Sequence, residues 1–153
     1  MPIVQTHRQA RNSQGSKRLF IRYTLGIDTG DSVKTVRLIR NGLPFHVLAG
    51  FQKATQLPWS DIARLAAIPQ RTLTRRQHEG KLHPDESDRV WRASTIFEMA
   101  VELFEGDIPA ARKWLQTPQP SLGDETPLHF ASTEAGAREV ENLIGRLEHG
   151  VFE

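Results

Sequence analysis

One short segment of the chain concentrates Gln70, Arg71, Thr72, Arg75, Arg76 and Lys81. Glutamine and arginine carry the paired hydrogen-bonding groups that match adenine and guanine edges, and arginine and lysine neutralise phosphates. On a helix, Gln70, Arg71 and Arg75 are therefore expected to face bases with Thr72 beside them, while Arg76 and Lys81 face the backbone. Other chemistries find no support. Histidines at positions 7, 46, 78, 83, 129 and 149 form no HExxH pair, so no metal site is expected. Gly26-Ile27-Asp28-Thr29-Gly30 lacks both GxGxxG and a phosphate-loop lysine, and reads as a turn. Glu98, Glu102 and Glu105 lie three or four apart and could pair as acid and base, but no nucleophile or base motif accompanies them. They are expected to form a solvated helix face. No catalytic residue and no cofactor follow from this pattern, and the chain is not expected to be an enzyme.

The formal charge of +2 hides a division along the chain. Residues 1–97 carry 16 Lys+Arg against 7 Asp+Glu, a net +9, whereas residues 98–153 carry 4 against 11, a net −7. The first part suits phosphate and the second does not. With 153 residues and no cysteine, the chain can bury a core but cannot use disulfides, which fits a reducing cytoplasm. No apolar run is long enough to span a bilayer, and Met1 to Gln14 has no signal-peptide core, so a membrane association is not expected.

The elements that would position these residues follow from local signals. Residues 1–24 contain Arg8, Arg11, Lys17, Arg18 and Arg22 and no acid, and read as a flexible basic arm extending to about residue 30. Asp31 caps a segment with Val33, Val36 and Ile39 at helical spacing, ended by Asn41-Gly42; strict alternation fails at Leu38-Ile39, which favours helix over strand. Pro44 opens a helix with Phe45, Leu48, Phe51 and Ala54 inward. After Pro58 comes a short helix burying Ile62, Ala63, Leu65 and Ala66. Pro69 then ends the intervening turn and starts a helix through Glu79, stopped by Gly80. Pro84-Asp85-Glu86 starts a long helix with Val90, Trp91, Ala93, Ile96, Phe97, Ala100, Val101 and Phe104 on its apolar face. Asp107, Thr126 and Thr133 cap three further helices, the last running to about His149 with Ala137, Val140, Leu143, Ile144 and Leu147 inward and Gly150 as its stop.

Two blocks carry a family resemblance. Ala63 as the small residue of a first helix, Ile62 and Ile68 flanking a turn, and Leu73 anchoring a second helix resemble the Xre-like helix-turn-helix, although the turn position usually taken by glycine is Ala67. Further on, Trp114-Leu115, Pro118, Leu122-Gly123, Thr126-Pro127-Leu128, the run Thr133 to Val140, Leu143, Gly145-Arg146 and Glu148-His149-Gly150 resemble the C-terminal toxin-binding domain of Xre/MbcA/ParS antitoxins. The resemblance implies an all-α protein in which a helix-turn-helix (Xre/Cro-like) region over residues 31–82 precedes a helical toxin-binding domain over residues 83–153. It also implies two partners: a RES-domain toxin that consumes NAD, and the operator DNA of the protein's own operon, in a homodimer or a hetero-oligomer with the toxin. The toxin is expected to meet Arg146, His149, Gly150 and the tail Val151-Phe152-Glu153, where a glycine stop can redirect an aromatic anchor and two carboxylates into a basic pocket. Gly136 and Gly145 are expected to permit close packing within the domain. The alternative is a stand-alone regulator whose C-terminal helices serve dimerisation.

Overall fold

The structure, a computed structural model, describes residues 30–150; the basic arm and the tail Val151-Phe152-Glu153 lie outside the described residues. Among these residues eight α-helices follow in order: α1 (Ser32–Asn41), α2 (Phe45–Thr55), α3 (Trp59–Leu65), α4 (Gln70–Glu79), α5 (Pro84–Leu103), α6 (Ile108–Leu115), α7 (Pro127–Phe130) and α8 (Glu134–Glu148), with a 3-10 turn at Pro120–Leu122. Among the described residues there is no strand, only isolated bridges, and the all-α expectation holds. The start signals act as anticipated. Asp31 Oδ1 accepts hydrogen bonds from the amides of Val33 and Lys34 at 3.0 and 3.2 Å, Asp107 Oδ1 from Ala110 at 3.0 Å, and Thr133 Oγ1 from Gly136 at 3.0 Å. Each satisfies an amide that the first helical turn leaves without a partner.

Helix α5 is the axis of the molecule. It packs against α1, α3, α6 and α8, and its fully buried Ile96, Phe97 and Ala100 belong to one apolar core that runs from Leu43 to Ile144. Within that core Phe51 of α2 meets Phe97 edge-on, with ring centroids 6.0 Å apart. The chain before α2 and the chain after α4 are laced together: the Phe45 amide donates to Gly80 O at 2.9 Å and the Leu82 amide to Leu43 O at 2.8 Å. Gly42 makes this lacing possible. Its φ is +89°, and a Cβ there would lie 2.2 Å from Leu82 O.

Packing overrides the sequence expectation at three places. On α1, Val33 and Val36 are 56% and 45% exposed, and Thr35 is the buried residue, because α1 rests on α5 through the side bearing Thr35, Leu38 and Ile39. Glu98 is buried instead of solvated, since α1, α6 and α8 enclose α5 on several sides; Glu102 is half-buried and Glu105 is exposed. Gly136 does permit close packing, as a Cβ would lie 1.7 Å from Phe130 O, but Gly145 has no atom within 4 Å of the equivalent position. Gly145 therefore does not serve close packing among the described residues.

The turn between α3 and α4 confirms its unusual residue. Ala67 has φ +52°, in the left-handed region, while the Ile68 amide donates to Ala63 O at 2.9 Å to close the turn. An L-residue with a Cβ is strained there by about 1 kcal/mol. Ala67→Gly is expected to raise unfolding free energy by up to about 1 kcal/mol, less the greater freedom glycine gains when unfolded; an unchanged or lower urea midpoint at constant m-value would contradict the strain.

Candidate nucleic-acid interface and docking helix

The α3–turn–α4 unit presents one face of α4 to solvent. Pro69 precedes α4 and satisfies the geometry of its start, and Leu73 turns inward to the core, 5% exposed. Gln70, Arg71 and Arg75 are exposed, Thr72 is half-buried, and Lys81 is exposed beyond Gly80. Arg71 and Arg75 lie one turn apart, so their guanidinium groups share a side of the helix. Lys81 stands at the opposite end from Gln70, about 15 Å along the axis. The structure thus brings together Gln70, Arg71 and Arg75 and places Lys81 apart from them.

Arg76 is a correction. It is buried, not turned to solvent: Nε donates to Glu86 Oε1 at 2.7 Å, one terminal nitrogen to Glu79 Oε2 at 3.2 Å, and the other meets His83 Nδ1 at 3.1 Å. Three residues past Leu73, it occupies the same inward side of α4, which faces the start of α5. A phosphate cannot reach it there. Glu86 Oε1 also accepts the His83 amide at 2.8 Å, as the third residue of a helix often does at its start. Burial pushes the Glu86 carboxyl up, but the hydrogen bonds from Arg76 and the His83 amide outweigh it and hold the group below its ordinary range. The hydrogen bond to Glu86, working against burial, correspondingly raises Arg76 above its ordinary value. Sequence inspection could have signalled this pair, because Glu86 lies at the capping-box position after His83 and so had to be turned back toward the α4–α5 junction.

A second feature was missed. Trp59, the first residue of α3, is 37% exposed and stacks on Phe45 at 5.9 Å between centroids. Together with Gln70, Leu73, Thr74 and Gln77 these rings line a cleft of about 260 Å³ alongside α4. The signal in sequence was a tryptophan directly after Pro58, at a helix start where apolar side chains have no core to enter.

At the other end of the molecule α8 buries Ala137, Val140, Leu143 and Ile144, with Leu147 packed at the margin, as the spacing predicted. Arg138, Asn142, Arg146 and His149 are exposed on its outer surface. The helix ends when the Gly150 amide donates to Leu147 O at 3.2 Å, with Gly150 in the left-handed conformation at φ +68°. Arg146, His149 and Gly150 therefore do lie together at the free end of α8. Among the described residues no cluster of His, Asp or Glu could hold a metal ion, and no helix is long and apolar enough to cross a membrane.

A helix-turn-helix with an exposed second helix, continued through one core into a helical bundle that ends in a solvent-facing helix, places the chain in the class of DNA-binding regulators with an appended helical domain. Known proteins make this particular. Residues 35–93 match the antitoxin Xre-like helix-turn-helix domain, and residues 99–150 match the antitoxin Xre/MbcA/ParS C-terminal toxin-binding domain. The chain is 40% identical to an antitoxin Xre of Yersinia enterocolitica and 36% identical to one of Photorhabdus laumondii, in each case over 129 residues that cover 84% of this chain and 87% of the relative. An antitoxin Xre of Pseudomonas putida is 33% identical over 90 residues, 58% of this chain and 56% of that relative. The chain belongs to the Xre antitoxin family and carries both of its domains. The two matches end and begin inside α5, which thus contributes to each.

The buried pair makes the stability of α4 depend on pH. Because the folded Glu86 carboxyl titrates below its ordinary value of 4.5, its contribution to stability is complete above about that pH and is lost as pH falls through the depressed value. In urea titrations from pH 7 down to about pH 3, Arg76→Met should lose stability at pH 7, and Arg76→Met with Glu86→Leu should recover much of it and decline less steeply in acid. Equal acid dependence in the double variant and the parent would show that the pair is not what holds α4.

Proposed function

We propose that this antitoxin neutralises a RES-domain, NAD-consuming toxin by laying the end of α8 and the tail Val151-Phe152-Glu153 over the toxin's active site, and that it represses its own operon through α4. The observation that carries the first part is the end of α8. Arg146 and His149 are exposed there, and the left-handed Gly150 turns the chain off the helix axis immediately before the tail. A redirected tail costs little to order and would carry the Phe152 ring and the Glu153 carboxylate toward the toxin. Gly145 supports the same reading. A glycine inside a helix costs roughly 1 kcal/mol relative to alanine, and among the described residues no neighbour uses the space it leaves. A partner's backbone approaching α8 would use it.

For DNA, we assign Gln70, Arg71 and Arg75 to base edges with Thr72 beside them, and Lys81 to a phosphate; Arg76 acts behind them as the residue that fixes α4. The support is the exposure of the first group along one helix and the excess of cations in the first part of the chain. We draw the boundary between the two regions at residues 82 and 83, with α5 serving both, and place the protein in the cytoplasm as a homodimer or as a hetero-oligomer with its toxin.

Two measurements test these assignments. Arg71→Ala and Arg75→Ala should each weaken binding to the protein's own promoter fragment by about 1 to 3 kcal/mol; unchanged gel-shift affinity for both would remove α4 from the DNA interface. Deletion of Val151 to Glu153 should leave the helical fold intact and release the activity of a co-expressed RES toxin, since a few residues carry most of an interface's energy. Full neutralisation by the truncated chain would rule out the tail as the inhibitory element.

A further inference from the structure

The cleft beside α4 differs in chemistry from the arginine-bearing side of the same helix. Its lining of Phe45, Trp59, Gln70, Leu73, Thr74 and Gln77 contains no charged side chain. Gln70, Thr74 and Gln77 follow each other at four- and three-residue spacing and so form one row along α4. Opposite them stands Trp59, held in place by its nearly parallel stack on Phe45, with 12° between the ring planes. Thr74 Oγ1 donates back to Gln70 O at 3.2 Å, so its hydroxyl is committed to the helix and its methyl group is the part left to contact a ligand.

Amide side chains bond in pairs to the adenine N6 and N7 edge, and apolar groups meet the 5-methyl of thymine; arginine, by contrast, matches guanine. A row of amides and a methyl group, bounded by an indole, therefore fits an A·T pair, as Arg71 and Arg75 fit G·C pairs. The row is about 10 Å long from Gln70 to Gln77, close to three base steps at about 3.4 Å each. Arg71 and Arg75, exposed on the adjacent side, supply the positive charge that would bring a duplex to the cleft.

We infer that the Trp59–α4 cleft reads A·T base pairs in the operator, with Gln70 and Gln77 on adenine and the Trp59 ring and Thr74 methyl against the thymine 5-methyl group. This rests on the DNA-binding reading above and adds to it a base preference, a neutral contact from α3, and roles for Trp59, Thr74 and Gln77.

Uracil in place of thymine removes the methyl group and leaves every other group of the duplex unchanged. Fluorescence anisotropy at one fixed salt concentration would compare the promoter fragment with its uracil-substituted twin, using the full chain. The unsubstituted fragment should bind about fourfold more tightly for each methyl group buried. Trp59→Ala should weaken binding to the thymine duplex and lose the discrimination. Thr74→Ser, which keeps the hydroxyl bond to Gln70 and cannot disturb the Phe45 stack, should reduce discrimination with melting temperature unchanged. Equal affinity of the parent protein for both duplexes, or full discrimination retained by both variants, would overturn the cleft assignment while leaving DNA binding intact. Failure of the parent protein to bind the thymine fragment at all would overturn the DNA reading itself, and the cleft with it.

Discussion

The ion pair between Arg76 and Glu86 is the interaction on which the geometry of the proposed reading face depends. Helix α4 buries only Leu73 and Arg76, so apolar burial alone gives it one anchor and leaves its rotation undetermined. The guanidinium supplies the second anchor, and it does so at a defined angle, because Glu86 Oε1 is already fixed by the His83 amide. The next residue, Ser87, continues the arrangement: its Oγ accepts the buried Leu43 amide at 2.8 Å and donates to His83 O at 2.8 Å. The first turn of α5 thus sets both the position of α4 and the approach of the chain into α2. Removing charge from one partner leaves a buried charge on the other, which is why such pairs are sensitive to single substitutions even where the pair as a whole adds little net stability.

Further cross-links tie the two halves in the same manner, with polar side chains of the later helices meeting the ends of the earlier ones. Arg89 Nε of α5 donates to Ala66 O at 2.6 Å, Arg112 of α6 to Thr55 O at 3.1 Å, and Gln116 Nε2 to Asp61 Oδ2 at 2.8 Å. The first two place a cation at a helix C-terminal end, where the carbonyls lack helical partners and carry partial negative charge. They also explain why Arg89 and Arg112 are half-buried rather than spread over the surface.

Much of the fold was legible because its signals are local. Asp31, Asp107, Thr126 and Thr133 cap as their types require, and proline starts and glycine stops mark the helix limits to within a residue or two. Even the strain at Ala67 was foreseeable from its place in the turn. What escaped was the direction of side chains whose environment is set by distant elements. Val33 and Val36 have the spacing of an inward stripe, yet among the described residues α1 packs chiefly on α5, and through its other side. Arg76 looks like one more cation of an exposed basic helix until α5 is placed against it. Trp59 and Gln77 acquire a common cleft only through the crossing of α3 and α4. Charge and periodicity describe each helix separately; burial of a charge is decided by the helix beside it.

The sharing of α5 by both halves has a consequence for how the protein is lost. Its buried residues belong to one continuous core, and there is no break in the helix at which one half could open while the other kept its packing. The DNA-binding region and the toxin-binding region therefore draw on a single unfolding equilibrium. A protease or a destabilising change that raises the open population removes both regions at once.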